Sequence, residues 1–148
     1  MHRLFGLALF YAFLNYGTAT PFSDCGSQTG KVEFLEVSNC PDDQDVCVLK
    51  KGTQPEITMK FTSLGESKEL KAYIHGIIVV VPIPFFIPDS DACKSGVSCP
   101  ITNGESYTYS NKFDVKTTYP AIPVGVKYEL RDDNELDVVC VVIPCRIE

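Results

Sequence analysis

The chain has 148 residues, 45% of them apolar and 22% charged, enough apolar material for one core and no compositional case for disorder. Lysine and arginine number 13 against 19 aspartates and glutamates, a net charge of −6; such a surface repels phosphate at long range, which excludes nucleic acid as a partner. Seven cysteines and no tryptophan indicate an oxidising compartment, because reduced cytosolic domains of this size do not carry so many thiols.

The N-terminus agrees with that compartment. Met1-His2-Arg3 is a short basic start, Leu4 to Leu14 is almost wholly apolar, and Gly17-Thr18-Ala19 puts small residues at the −3 and −1 positions of a cleavage site after Ala19. This pattern is a secretory signal peptide over residues 1–19; the run is shorter than the roughly 20 residues that span a bilayer. Its removal takes away Arg3 and no acid, leaving 12 bases against 19 acids, net −7, and His75 as the one histidine. The expectation is a soluble secretory product consisting of a single domain over residues 20–148.

The elements that follow all read as β. Lys31 to Ser38 carries Val32 and Phe34 on one parity, and Glu56-Ile57-Thr58-Met59-Lys60-Phe61-Thr62 alternates polar and apolar residues without error, the pattern of a half-buried strand. Leu70 to Ile74 leads through His75-Gly76 into Ile77-Ile78-Val79-Val80-Val81, a β-branched run expected either to be buried on both sides or to cap an opening. Pro82-Ile83-Pro84-Phe85-Phe86-Ile87-Pro88 cannot be a central strand, since proline donates nothing to a ladder, yet it is too apolar for a plain solvated loop. An apolar flap at the mouth of a cavity fits it. Tyr107, Tyr109, Phe113 and Val115 share one parity; Val124, Val126, Tyr128 and Leu130 alternate with Lys127 and Glu129; Leu136 to Ile143 is the last predicted strand. Gly52, Gly65, Asn103-Gly104 and Asp132-Asp133-Asn134 mark turns. About seven short strands with no helical stripe predict an antiparallel two-sheet sandwich.

Catalytic chemistry finds little support. There is no G-x-S-x-G elbow, no C-x-x-C pair, and His75 is the one imidazole outside the leader, so neither an enzyme, a metal site nor a cofactor is expected. Cys40/Cys47 and Cys93/Cys99 are close pairs able to staple polar loops for about 2–3 kcal/mol each. Spacing alone leaves the connectivity of the seven cysteines open, with one left over.

Asp24-Cys25-Gly26-Ser27, then His75-Gly76-Ile77 with Val81-Pro82-Ile83-Pro84-Phe85, Asp91-Ala92-Cys93, Cys99-Pro100-Ile101, Tyr107-Thr108-Tyr109, Tyr119-Pro120, Leu130-Arg131-Asp132 and Cys140-Val141-Val142-Ile143-Pro144 occur in an order that resembles the ML lipid-recognition family. The match spans essentially the whole chain after the leader. The resemblance implies an immunoglobulin-like sandwich with an apolar ligand cavity between its sheets. It implies the pairings Cys25–Cys140, Cys40–Cys47 and Cys93–Cys99, with Cys145 odd. It places Phe85, Val115 and Tyr119 on a sterol tunnel, with Tyr128, Phe113 and Phe61 as further lipid-binding residues; Tyr128 stands where the family usually has tryptophan. Val80, Val81 and Pro82 form the expected transfer rim, and Val80 is bulkier than the glycine usual near that point.

The implied function is a secreted, monomeric sterol carrier that delivers its ligand to membranes or to a membrane-protein acceptor. The alternative is a carrier or sensor of another lipid: a fatty acid, a semiochemical or a microbial lipid. No N-x-Ser/Thr sequon occurs at Asn39, Asn103, Asn111 or Asn134, so the glycan-tagged route by which vertebrate members reach lysosomes is closed to this chain. Extracellular fluid is the expected location, with the lysosomal or endosomal lumen as the alternative.

Overall fold

The computed structural model describes residues 19–40, 44–79, 81–85 and 87–148. The expected signal sequence through Thr18 lies outside the described residues, as do Val80 and Phe86. The strands are β1 (Ser23–Asp24), β2 (Gly30–Val37), β3 (Cys47–Leu49), β4 (Glu56–Ser63), β5 (Lys71–Ile78), β6 (Val81–Pro84), β7 (Ser106–Lys112), β8 (Pro123–Arg131) and β9 (Asp137–Ile147), with one 3₁₀ turn at Ala92–Lys94. One sheet runs β1-β9-β8-β5-β6; the other runs β2-β4-β7. Pairing is antiparallel throughout except where β3 lies parallel on β9, Cys47 opposite Cys145. This is the predicted all-β, immunoglobulin-like sandwich.

Alternation places the core. Ile57, Met59 and Phe61 of β4 point inward with no exposure, and they face Tyr128 and Leu130 of β8 and Val139 and Val141 of β9, which are equally covered. Three expectations needed correction. In β2 the register shifts between Val32 and Phe34, and beyond this irregularity the inward residues are Leu35 and Val37 rather than Val32 and Phe34. Phe113 and Val115 are not strand continuations, because β7 ends at Lys112; Val115 instead bridges Thr53. The Ile77–Val81 run is no buried strand. Ile77 and Ile78 end β5, Val81 begins β6 and Val79 between them is 90% exposed, so of the two readings of this run the one buried on both sides falls.

The sandwich is pinched at one end. A Cβ on Gly30 would meet the Val138 carbonyl oxygen at 2.4 Å, so only glycine lets β2 approach β9 so closely there. At the opposite end lie the β5–β6 hairpin, the start of β8 and residues 113–122. Phe85, Asp89 and Ser90 stitch the flank between the sheets: Phe85 N donates to Ile74 O at 2.9 Å, Ala72 N to Ser90 O at 2.8 Å, and Asn111 Nδ2 to Asp89 O at 3.0 Å.

Three disulfides fasten this frame. Cys25–Cys140 ties the end of β1 to β9, Cys40–Cys47 connects the end of β2 to β3 across the two sheets, and Cys93–Cys99 closes the loop that crosses from β6 to β7. Cys145 is free and buried beside Cys47; burial pushes its thiol up to about 12, the state of an inert structural cysteine.

Candidate functional site

The residues singled out for ligand contact divide into two groups. Phe85 and Tyr119 are half-buried at the end opposite the Gly30 pinch, packed edge-to-face with ring centroids 5.1 Å apart. The Phe85 ring occupies space that only a glycine provides: a Cβ on Gly76 would come within 2.2 Å of Phe85 Cε2 and 3.1 Å of Val124 Cγ2. Val115 lies behind, held by Val115 N→Thr53 O at 3.0 Å and Gly52 N→Val115 O at 2.6 Å.

The second group lies deeper. Phe61, Phe113 and Tyr128 expose 1% or less of their surface, as does Val115. Close packing of this kind leaves no room for a water molecule against them. A ligand entering between the sheets must therefore displace side chains, and the least buried of those named are the rings of Phe85 and Tyr119. Phe61 stacks at a tilt on Tyr107, centroids 5.8 Å apart. Tyr109, to which strand parity assigns a position but no role, meets Tyr128 across the sheets: the two hydroxyls are hydrogen-bonded in full burial.

The expected rim is an apolar projection. Val81 is 57% exposed and Ile83 45%, Pro82 is exposed beside them, and Val80 lies outside the described residues. A shallow groove on the outer face of the larger sheet, lined by Ile77, Val79, Gly125, Val142 and Pro144, adjoins this tip.

A charged cluster lies away from that end, on the outer face of the larger sheet. Glu129 is 3% exposed although it points outward, because its neighbours cover it: Arg131 at 3.1 Å, Lys127 at 3.8 Å and His75 at 4.0 Å. Arg131 in turn lies over the Tyr73 ring, 4.2 Å from its centroid. Burial opposes the Glu129 charge, but a hydrogen bond with Asp137 and the Arg131 and Lys127 cations outweigh it and hold the carboxyl below its usual range. Asp137 moves the other way: desolvation, then the adjacent Glu129, push it up to about 7. Cys140 lies close to both carboxylates, but its sulfur is already bonded to Cys25, so the pair can share a proton but has no thiolate with which to hold a metal.

A disulfide-fastened sandwich, pinched at one end and closed by half-buried aromatic rings at the other over a largely apolar interior, is the framework of a small apolar-ligand binding module. The chain belongs to the ML domain family, whose model matches residues 19–147. It is 43% identical over 148 residues to NPC intracellular cholesterol transporter 2 of Danio rerio, a match covering 99% of this chain and 97% of that protein. It is 36% identical to NPC intracellular cholesterol transporter 2 homolog a of Drosophila melanogaster, covering 93% of each. Among solved structures it is similar to a Niemann-Pick type C2 protein from Japanese carpenter ant, with a TM-score of 0.81 and 30% identity, covering 86% of this chain and 99% of that one.

Proposed function

We propose that this protein is a secreted lipid carrier that binds a sterol between its two sheets and hands it to a membrane or an acceptor protein. The observation that carries the reading is the interior itself. Both sheets turn apolar faces inward, and at the end opposite the pinch this interior is closed by two half-buried aromatic rings, Phe85 and Tyr119, packed edge-to-face. The full-length similarity to cholesterol transporters supports the sterol as the ligand.

The energetics allow it. Burying about 25 sterol carbons at about 0.8 kcal/mol each yields a gross gain near 20 kcal/mol. Ordering and association costs return about half of that, and displaced side chains take a further share. Sub-micromolar binding remains within reach. In this reading Phe85, Tyr119 and Val115 contact the ligand first, Phe61, Phe113 and Tyr128 line its deeper part, and Val81 with Pro82 forms the docking rim. Binding and release suffice for a carrier, so no reacting group is assigned.

Mass spectrometry of lipid extracted from the purified secreted protein tests the ligand class directly. Val115→Phe adds a ring where the ligand must pass and should abolish binding of a fluorescent sterol while the domain still folds. A folded Val115→Phe protein with unchanged affinity would refute the route.

A further inference from the structure

A polar contact lies between the two sheets, among the buried apolar residues of the core. Tyr109 of β7 and Tyr128 of β8 face each other across the gap, ring centroids 5.7 Å apart and planes at 64°, with their hydroxyls hydrogen-bonded to one another and neither residue exposed. Asn111 Nδ2 donates to the Tyr109 hydroxyl at 3.1 Å. Each phenol has one proton to give. If Tyr128 donates to Tyr109, the Tyr109 proton finds no acceptor among the described residues; if Tyr109 donates, the Tyr128 proton is left over. Asn111 cannot resolve this, because its contact with the pair is itself a donor. Burial raises both phenols above their ordinary range, so neither proton is shed to relieve the conflict. One hydroxyl donor therefore remains unmatched in an apolar core, where nearly all polar groups are paired.

Its depth suits a ligand that enters at the Phe85 end. Tyr128 lies four residues along β8 from Val124, the residue that flanks Gly76 and Phe85, which is about 13 Å at the rise of a strand. An unmatched donor at that depth, with apolar walls on either side, is complementary to an apolar molecule bearing an acceptor oxygen at its far end. A sterol's ring hydroxyl keeps its hydration when it stays at the mouth, and the side chain is then the part that reaches the tyrosines.

We propose that Tyr109 and Tyr128 form an oxygen-recognising subsite at the deep end of the lipid site, selecting sterols that carry a hydroxyl or keto oxygen at the end of the side chain. This rests on the carrier reading above and sharpens it from sterols in general to side-chain-oxygenated ones. Tyr109 and Tyr128 are thus specificity-determining residues rather than core filler.

The test is a comparison of ratios. The wild-type protein, Tyr109→Phe, Tyr128→Phe and the double variant are each titrated with cholesterol and with cholesterol hydroxylated at the end of its side chain, by displacement of a fluorescent sterol. The wild type should prefer the hydroxylated sterol about five- to tenfold, the worth of one hydrogen bond. Either single variant still holds one unmatched phenol and should keep part of the preference. The double variant should bind the two sterols equally. Equal binding by the wild type, or an undiminished preference in the double variant, overturns the subsite while leaving the carrier reading in place. Binding of neither sterol by the wild type overturns both. Should the double variant fail to fold in thermal unfolding, the single variants decide: if neither lowers the preference, the proposal falls.

Discussion

Gly76 shows how much one missing methyl group can control. Its inward face is occupied by Phe85 Cε2, and an alanine there would overlap the ring at 2.2 Å. Gly76→Ala should therefore cost about 1–3 kcal/mol as an overpacked position and turn Phe85 outward from Tyr119. With its closing ring displaced, the site should exchange a fluorescent sterol faster; stopped-flow dissociation measures this, and an unchanged off-rate would show that Phe85 does not guard the entrance. In the sequence His75-Gly76 was legible as a motif, whereas the reason for the glycine was not. The ring that needs the space is nine residues away and reaches it by a hairpin. Tyr109 was likewise legible as an inward strand residue, but its pairing with Tyr128 depends on how two sheets face each other, and parity within one strand carries no information on that.

At the scale of elements, alternation did well where a strand has one wet and one dry face. Glu56 to Thr62 and Val124 to Leu130 follow their predicted parity throughout. It failed where another constraint intervened: the irregularity between Val32 and Phe34 reverses the inward parity of β2, and composition left the run after Ile77 open between a buried strand and a cap, where Val79 and Val81 are exposed beside the β5–β6 hairpin. Apolar composition reports affinity for a dry surface, and that surface need not belong to the same molecule. Val81, 57% exposed, belongs to such a tip. Val81→Asp should change stability by less than about 0.5 kcal/mol and leave sterol binding in solution intact, yet slow transfer to liposomes severalfold, because a charge opposes docking on an apolar or anionic surface. A transfer assay run beside a binding titration checks it. Equal losses in both would assign Val81 to the site or the fold and remove the docking role.

The whole molecule responds to pH through its outer carboxyl pair. Asp137 has its carboxyl raised from 3.8 to about 7 in the folded state, so folding favours its protonated form. That group costs stability above pH 7, and the cost is relieved as pH falls through the window from about 7 toward about 4. Glu129, held below its usual range, works in the opposite sense and withdraws its contribution as pH falls through its lowered value. Together they favour a mildly acidic optimum. Asp137→Asn should raise the melting temperature at pH 7.5, raise it less at pH 6 and not at all near pH 4. A gain independent of pH would mean that the two carboxyls do not share a proton. The fold class and disulfide frame of this molecule were readable from ordered motifs across the chain; this pair was not, since Glu129 and Asp137 are brought together by the β8–β9 turn.

The edge strand β6 has a consequence for how the protein behaves in a crowd. Phe85 N points at Ile74 O, so by strand alternation the amides of Ile83 and Val81 also face β5, and the outward positions fall to Pro82 and Pro84. The free border of the larger sheet thus offers carbonyls but no N–H groups over this stretch. A second copy arriving edge-on finds nothing from which to accept a hydrogen bond, and the usual template for runaway strand addition is missing. A carrier that exposes valine and isoleucine at its tip can thus stay dispersed at high concentration without its stickiest corner becoming the seed of a fibril.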